Sequence, residues 1–215
     1  MEKSARIFVA GSGTLIGSAI VRRLKGMGFA NVCDPEPDYV DPKSVDAYFA
    51  EHCPQYVFVA AGKSGGISAN QKLPAELMLD NLLVACHVVQ SAFKSRSTKL
   101  LYLGSSCCYP KLCAQPMRVE HLFTGPLEPT NDAYALAKLA GIQLCQAYRR
   151  QYGMDFISAI PANAFGPGDD FSLEDSHVIA ALIRKFHEAK AQNASDVEIW
   201  GTGTPRREFI YADDL

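Results

Sequence analysis

Short apolar runs alternate along this chain with longer segments whose apolar residues recur at helical spacing. Residues 6–10, 55–60, 99–104 and 156–160 are such runs, as expected of strands buried on both faces of a parallel sheet. A shorter run at 31–34 predicts one more strand, second in chain order. Between the runs, residues 18–27, 41–49, 74–94 and 130–152 read as helices, the second with Pro42 in its first turn. Regular alternation over 1–160 predicts an α/β fold: a Rossmann-like, doubly wound parallel sheet with helices on both faces. After Pro161 the rhythm changes. Residues 163–171 read as a loop, 176–191 as a helix and 197–200 as a short strand, the beginning of a smaller domain over 161–215.

The first predicted strand runs straight into Gly11-Ser12-Gly13-Thr14-Leu15-Ile16-Gly17 and then a helix. Strand, glycine turn and helix are the context of a dinucleotide cradle, where the backbone approaches a pyrophosphate and a helix start offers unpaired N–H groups. An ordinary tight turn is the competing reading. Gly62-Lys63-Ser64 resembles part of a triphosphate loop but lacks its spacing, which excludes that class.

Tyr134 and Lys138 lie four residues apart, on one face of the predicted helix 130–152. An ammonium beside a phenol is expected to lower the phenol's pKa from about 10. Ser105 follows the predicted strand 99–104 and could hydrogen-bond the oxygen that the phenol protonates. The three suit polarisation of a carbonyl during reduction. An exposed helix face is the bland alternative.

Composition narrows the class. Hydrophobic content of 48% and charge of 20% are those of a globular domain, and a net charge of −2 gives no electrostatic ground for nucleic acid or an acidic membrane. No apolar run is long enough to span a bilayer, and the first residues do not open a secretory signal, so a cytoplasmic protein is expected. Seven cysteines (33, 53, 86, 107, 108, 113 and 145) are scattered rather than paired, which argues against a disulfide scaffold; no metal-ligand spacing accompanies them.

The runs Leu103-Gly104-Ser105-Ser106-Cys107-Cys108-Tyr109-Pro110-Lys111 and Glu128-Pro129-Thr130-Asn131-Asp132-Ala133-Tyr134, with the stretches from Ser176 and Trp200, carry a resemblance. On them the chain resembles the extended short-chain dehydrogenase/reductases, and within them the GDP-L-fucose synthases, over nearly its whole length. The resemblance implies an epimerase/reductase that inverts two carbons beside the ketone of GDP-4-keto-6-deoxy-D-mannose, then reduces it with NADPH. It implies Tyr134 as proton donor, Lys138 as its partner and ribose holder, Ser105 as orienting hydroxyl, and Cys107 and His177 as the acid and base of epimerisation. Read from the residues alone, Cys107 could equally be a buried apolar cysteine and His177 a structural histidine at a helix start. The resemblance further places the cofactor along Gly11–Gly17, Leu103, Gly104, Ser105, Ser106, Lys138, Pro161, Ala162, Asn163, Ala164 and His177. Lys185, Trp200 and Arg207 fall at substrate-contacting positions. It implies a homodimer built on the helices 74–94 and 130–152.

Four departures bear on these expectations. Thr14 stands where the family has the middle glycine of its turn, with Gly13 beside it. The loop after the second strand lacks arginine and carries Asp34 near a ribose position, which leans toward NAD or toward weak binding of either, with NADP kept as the expected cofactor and NAD as the alternative. Lys185 replaces an arginine and loses its bidentate fork. Family members also continue beyond Leu215, so an open sugar side of the cleft is expected. Two alternatives stay open: another NAD-dependent nucleotide-sugar epimerase or dehydratase, and a shortened, inactive dinucleotide-binding module.

Overall fold

A computed structural model describes residues 1–215 except 34, 173–175 and 200. Its elements run β1 (Ile7–Ala10), α1 (Leu15–Gly26), α2 (Pro42–His52), β2 (Tyr56–Val59), α3 (Ile67–Lys72), α4 (Pro74–Lys94), β3 (Lys99–Leu103), α5 (Asp132–Tyr152), β4 (Asp155–Ala159), β5 (Asn163–Phe165), α6 (Val178–Ala191) and β6 (Phe209–Tyr211). The four strands β1 to β4 form one sheet in chain order, every pairing parallel. The predicted strand at 31–34 shrinks to a single bridge, Val32 against Ile7, on the far side of β1. The chain therefore leaves β1 for one edge and returns to β2 on the other side, which makes the carboxyl ends of β1 and β2 the switch point where such sheets bind ligands.

Alternate residues of β1 face two different cores. Phe8 and Ala10 join Val45, Phe49, Val88, Leu100, Ile142 and Phe156 under α2, α4 and α5; Ile7 and Val9 join Leu24 and Phe29 under α1. Helices on both faces were expected and are present. Close packing of α5 on β3 rests on Gly141, where a Cβ would lie 2.3 Å from the Tyr102 ring. α2 begins as its sequence dictates, with Asp41 accepting from the Lys43 N–H and Pro42 next.

Beyond β4 the expectations need correction. Residues 163–165, read as loop, pair with Phe209–Tyr211 in a second two-stranded parallel sheet. Residues 197–199 join no ladder, so the strand expected there is absent among the described residues. This second layer meets the first at α1, through an Arg22–Asp213 ion pair of 2.5 Å and Gly168 beside Ser18. No helix among the described residues is long and apolar enough to cross a membrane.

Candidate active site

The glycine turn closes tightly against the sheet. Gly11 has φ +81°, and a Cβ there would meet the Ala61 backbone at 2.6 Å; one on Gly17 would lie 1.8 Å from the Gly11 carbonyl. Thr14 is the N-cap of α1, its Oγ1 accepting from the Gly17 N–H at 3.1 Å and donating to the Gly11 carbonyl at 2.8 Å. The departure from glycine thus supplies a cap. It leaves the N–H groups of Leu15 and Ile16 without an intrahelical partner, the ordinary state of a helix start. Beside them Gly13 is exposed, with nothing within 4 Å of where a Cβ would stand. Free donors, a positive helix end and open space fit the pyrophosphate of a dinucleotide.

The first two N–H groups of the turn are already taken. Glu36 accepts from the N–H of Gly11 and of Ser12, from the Ser12 hydroxyl and from the Tyr39 phenol. Burial alone would raise its carboxyl, but hydrogen bonds from Ser12, Tyr39 and the backbone outweigh burial and hold it below the ordinary glutamate range. Burial and the neighbouring carboxylate push Tyr39 the other way, well above an ordinary phenol. Sequence reading singled out Asp34, which lies outside the described residues, and missed Glu36. The available signal was an acidic residue about 20 positions past the glycine turn.

The second cluster sits at the carboxyl end of β3 and the start of α5. Leu103 and Gly104 are buried; Ser105, Ser106 and Cys107 turn out of the sheet half-buried. Ser105 Oγ accepts from the Cys107 N–H at 3.3 Å. Cys107 and Cys108 part company: Cys108 is wholly buried against Ala135, and burial raises its thiol to about 11. Cys107 instead receives the Asn131 amide, Nδ2 to Sγ at 3.1 Å. Tyr134 lies half-buried one turn before Lys138, and Lys138 is 7% exposed. The Lys138 Nζ stands 5.9 Å from the Tyr134 ring centroid and 5.5 Å from that of Tyr102, and donates to the Leu103 carbonyl at 3.4 Å.

The electrostatics of this pair reverse one expectation. Burial pushes the Tyr134 phenol above its ordinary value, the charge of Cys107 adds to the rise, and a hydrogen bond with Ser105 only partly offsets it. Burial also lowers Lys138 to about 8. The ammonium expected to acidify the phenol is itself destabilised by the same desolvation. The phenol is therefore held protonated at neutral pH.

The remaining predicted residues follow β4 in the chain. Pro161, Ala162, Asn163 and Ala164 are half-buried just past the carboxyl end of β4, with Asn163 and Ala164 in β5, as the glycine turn follows the carboxyl end of β1. His177 is exposed at the N-cap of α6, its charge acting on Asp169; no contact joins it to Cys107 or Tyr134. Lys185 donates to the Glu198 carbonyl at 3.1 Å, and Arg207 is exposed. Trp200 lies outside the described residues. Lys63, from the rejected triphosphate motif, pairs with Asp80 at 2.6 Å.

Known proteins resemble this chain in sequence and fold. A rice (Oryza sativa subsp. japonica) protein named probable GDP-L-fucose synthase 1 is 53% identical over 218 residues, covering 100% of this chain and 66% of its own length. The GDP-L-fucose synthase of Escherichia coli (strain K12) is 47% identical over 213 residues, covering 98% and 66%. Among solved structures, a GDP-L-fucose synthetase from Naegleria fowleri bound to NADP superposes with a TM-score of 0.87 at 28% identity, covering 100% of this chain and 71% of that one. A GDP-6-OMe-4-keto-L-xylo-heptose reductase from C. jejuni gives 0.92 at 31%, covering 100% and 70%. The chain spans about two thirds of the length of the curated relatives it matches. The model of the NAD dependent epimerase/dehydratase family matches residues 7–215, and the chain belongs to that family.

Proposed function

We propose that this chain carries the cofactor site and most of the catalytic groups of a GDP-4-keto-6-deoxy-D-mannose epimerase/reductase that forms GDP-L-fucose with NADPH. The observation that carries the reading is the cluster of Ser105, Cys107, Tyr134 and Lys138 at the carboxyl end of the same parallel sheet as the Gly11–Gly17 cradle, in a chain about half identical to named GDP-L-fucose synthases along its length. Residues 1–160 serve as the dinucleotide domain and 161–215 as part of the substrate domain.

A bound nicotinamide dinucleotide supplies the hydride. Leu15 and Ile16 hold its pyrophosphate through their N–H groups, and Leu103, Gly104, Ser106 and the segment Pro161, Ala162, Asn163, Ala164 line its path. Tyr134, kept protonated by burial, gives its proton to the C4 oxygen of the sugar while the Ser105 hydroxyl orients that oxygen. Lys138, still largely protonated at pH 7, supports the phenolate left behind and holds the ribose. Cys107 and His177 move protons at the two carbons beside the ketone; Lys185, Trp200 and Arg207 take the nucleotide-sugar.

Incubation of the protein with GDP-4-keto-6-deoxymannose and NADPH tests this. Loss of absorbance at 340 nm with appearance of GDP-fucose supports it, and Tyr134→Phe should abolish the reduction. Tight cofactor binding without turnover, with or without deuterium uptake into the sugar, would overturn the full reaction for this chain. Glu36 favours a second reading on the cofactor alone: its carboxylate sits at the Ser12 end of the turn, where it would repel a 2′-phosphate and suit a ribose hydroxyl, hence NAD. Parallel titrations with NADPH and NADH decide between them. The chain is further proposed to act as a homodimer in the cytoplasm, where its cysteines stay reduced, as all seven are here.

A further inference from the structure

Asn131 occupies the N-cap of α5 and does not cap it: no hydrogen bond links its side chain to the first turn. Asparagine is among the best capping residues, its oxygen accepting from an N–H two or three positions on. Here that task is left to Asp132, which takes the Ala133 N–H at 2.7 Å. The Asn131 oxygen is buried with no partner, a costly state for an amide. What the side chain gains is one contact, Nδ2 to the Cys107 sulfur at 3.1 Å. A side chain that forgoes both its usual cap and a partner for its oxygen is held in place by what its nitrogen does.

We infer that Asn131 is a positioning residue for Cys107, its amide N–H fixing the sulfur at the mouth of the site and stabilising the thiolate over the thiol. The inference rests on the reading of Cys107 as an acid/base group. An N–H donor favours the charged form of the atom it faces. The titratable groups that feel Cys107 are the Tyr134 phenol from α5 and the Cys108 thiol from its own turn. Burial keeps both neutral near pH 7, so neither repels an anionic sulfur there. Ser105 engages the backbone N–H of Cys107 and leaves the sulfur to Asn131. A base that must take a proton from a sugar carbon near neutral pH needs such a donor.

Site-resolved alkylation with iodoacetamide, read by mass spectrometry across pH 6–9, tests the link without substrate. Exposed Cys53 serves as internal reference, and circular dichroism checks the fold. Asn131→Asp, which keeps the shape and replaces the donor by an acceptor, should move the Cys107 profile to higher pH and slow alkylation at pH 7 about ten-fold, the equivalent of one pH unit. Asn131→Ala should shift it less, in the same direction. Unchanged profiles in folded variants, or a shift to lower pH, would overturn the assignment. Deuterium uptake beside the ketone should fall in parallel, with hydride transfer to a pre-epimerised substrate retained. If the wild type takes up no deuterium at all, the functional reading fails while the alkylation profiles still decide the Asn131–Cys107 link.

Discussion

At the scale of single residues, Lys138 shows a functional group held at a cost to the fold. Its folded pKa of about 8 lies below the ordinary lysine value of about 10.4. Below pH 8 both folded and unfolded chains hold the proton, and the burial penalty is fully present. Between those values the unfolded chain binds more protons, so stability rises with pH until the penalty is gone. Lys138→Met should therefore be more stable than wild type at pH 7, by about 2 kcal/mol once the lost bond to the Leu103 carbonyl is set against the relieved charge. The gap should close by about pH 10.5. Urea midpoints at the two pH values measure it, and a gap independent of pH would refute the electrostatic origin. Glu36 runs the opposite way. Its carboxyl is held low, so the turn gains stability above the ordinary glutamate value of about 4.3 and loses it as pH falls through the folded value. Wild type should lose stability between pH 5 and 3 more steeply than Glu36→Gln, which forfeits the ionic hydrogen bonds at every pH. Of these two residues, Lys138 could be singled out from its spacing to Tyr134. Glu36 could be narrowed only to one of three, because Asp34, Glu36 and Asp38 share one short loop about 20 positions past the turn and spacing does not say which of them folds back onto it.

At the scale of elements, local signals were legible and pairings were not. Helix α4 occupies 74–94 as its apolar period and opening proline indicate. Strands β1 to β4 each fall within a residue or two of their apolar runs, because burial on both faces leaves a continuous apolar signature. The strand expected at 31–34 contributes one bridge, made by the Ile7 N–H to the Asn31 carbonyl and the Cys33 N–H to the Ile7 carbonyl, before the chain leaves for the loop carrying Glu36. The three-residue strands β5 and β6 have half-buried or exposed side chains, and their pairing joins residues far apart in sequence. Nothing local marks them. Thr14 is the instructive middle case: it looks like damage to a glycine motif, and only the helix it caps explains it. Thr14→Ala should cost about 1 kcal/mol of stability, whereas Thr14→Gly should cost only a few tenths. Thermal melts of the two variants would separate them, and equal losses would show that the hydroxyl does not cap α1.

At the scale of the whole molecule, the parallel order was readable from alternation alone, while the outer surface acquires meaning only once the helices are placed. α4 and α5 lie side by side on one face of the sheet, packed through Leu77, Val84, Val88 and Ile142 within the subunit. Their outward faces are not polar throughout. Leu79 on α4 is 56% exposed and Leu136 on α5 is 48% exposed, with Cys86 and Ala140 exposed along the same faces at helical spacing. Two copies meeting through this helix pair about a twofold axis would bury four leucines, each contributing about 2 kcal/mol when fully covered. That contribution must exceed the entropy lost on association, so the contact has to extend along both helices rather than rest on the leucines alone. Sedimentation equilibrium at micromolar concentrations should therefore report twice the chain mass for wild type. The double variant Leu79→Lys, Leu136→Lys should sediment as a monomer with unchanged helix content, since neither side chain belongs to the core. A monomeric wild type would rule out this face as a self-association surface, and a dimeric double variant would place the contact elsewhere.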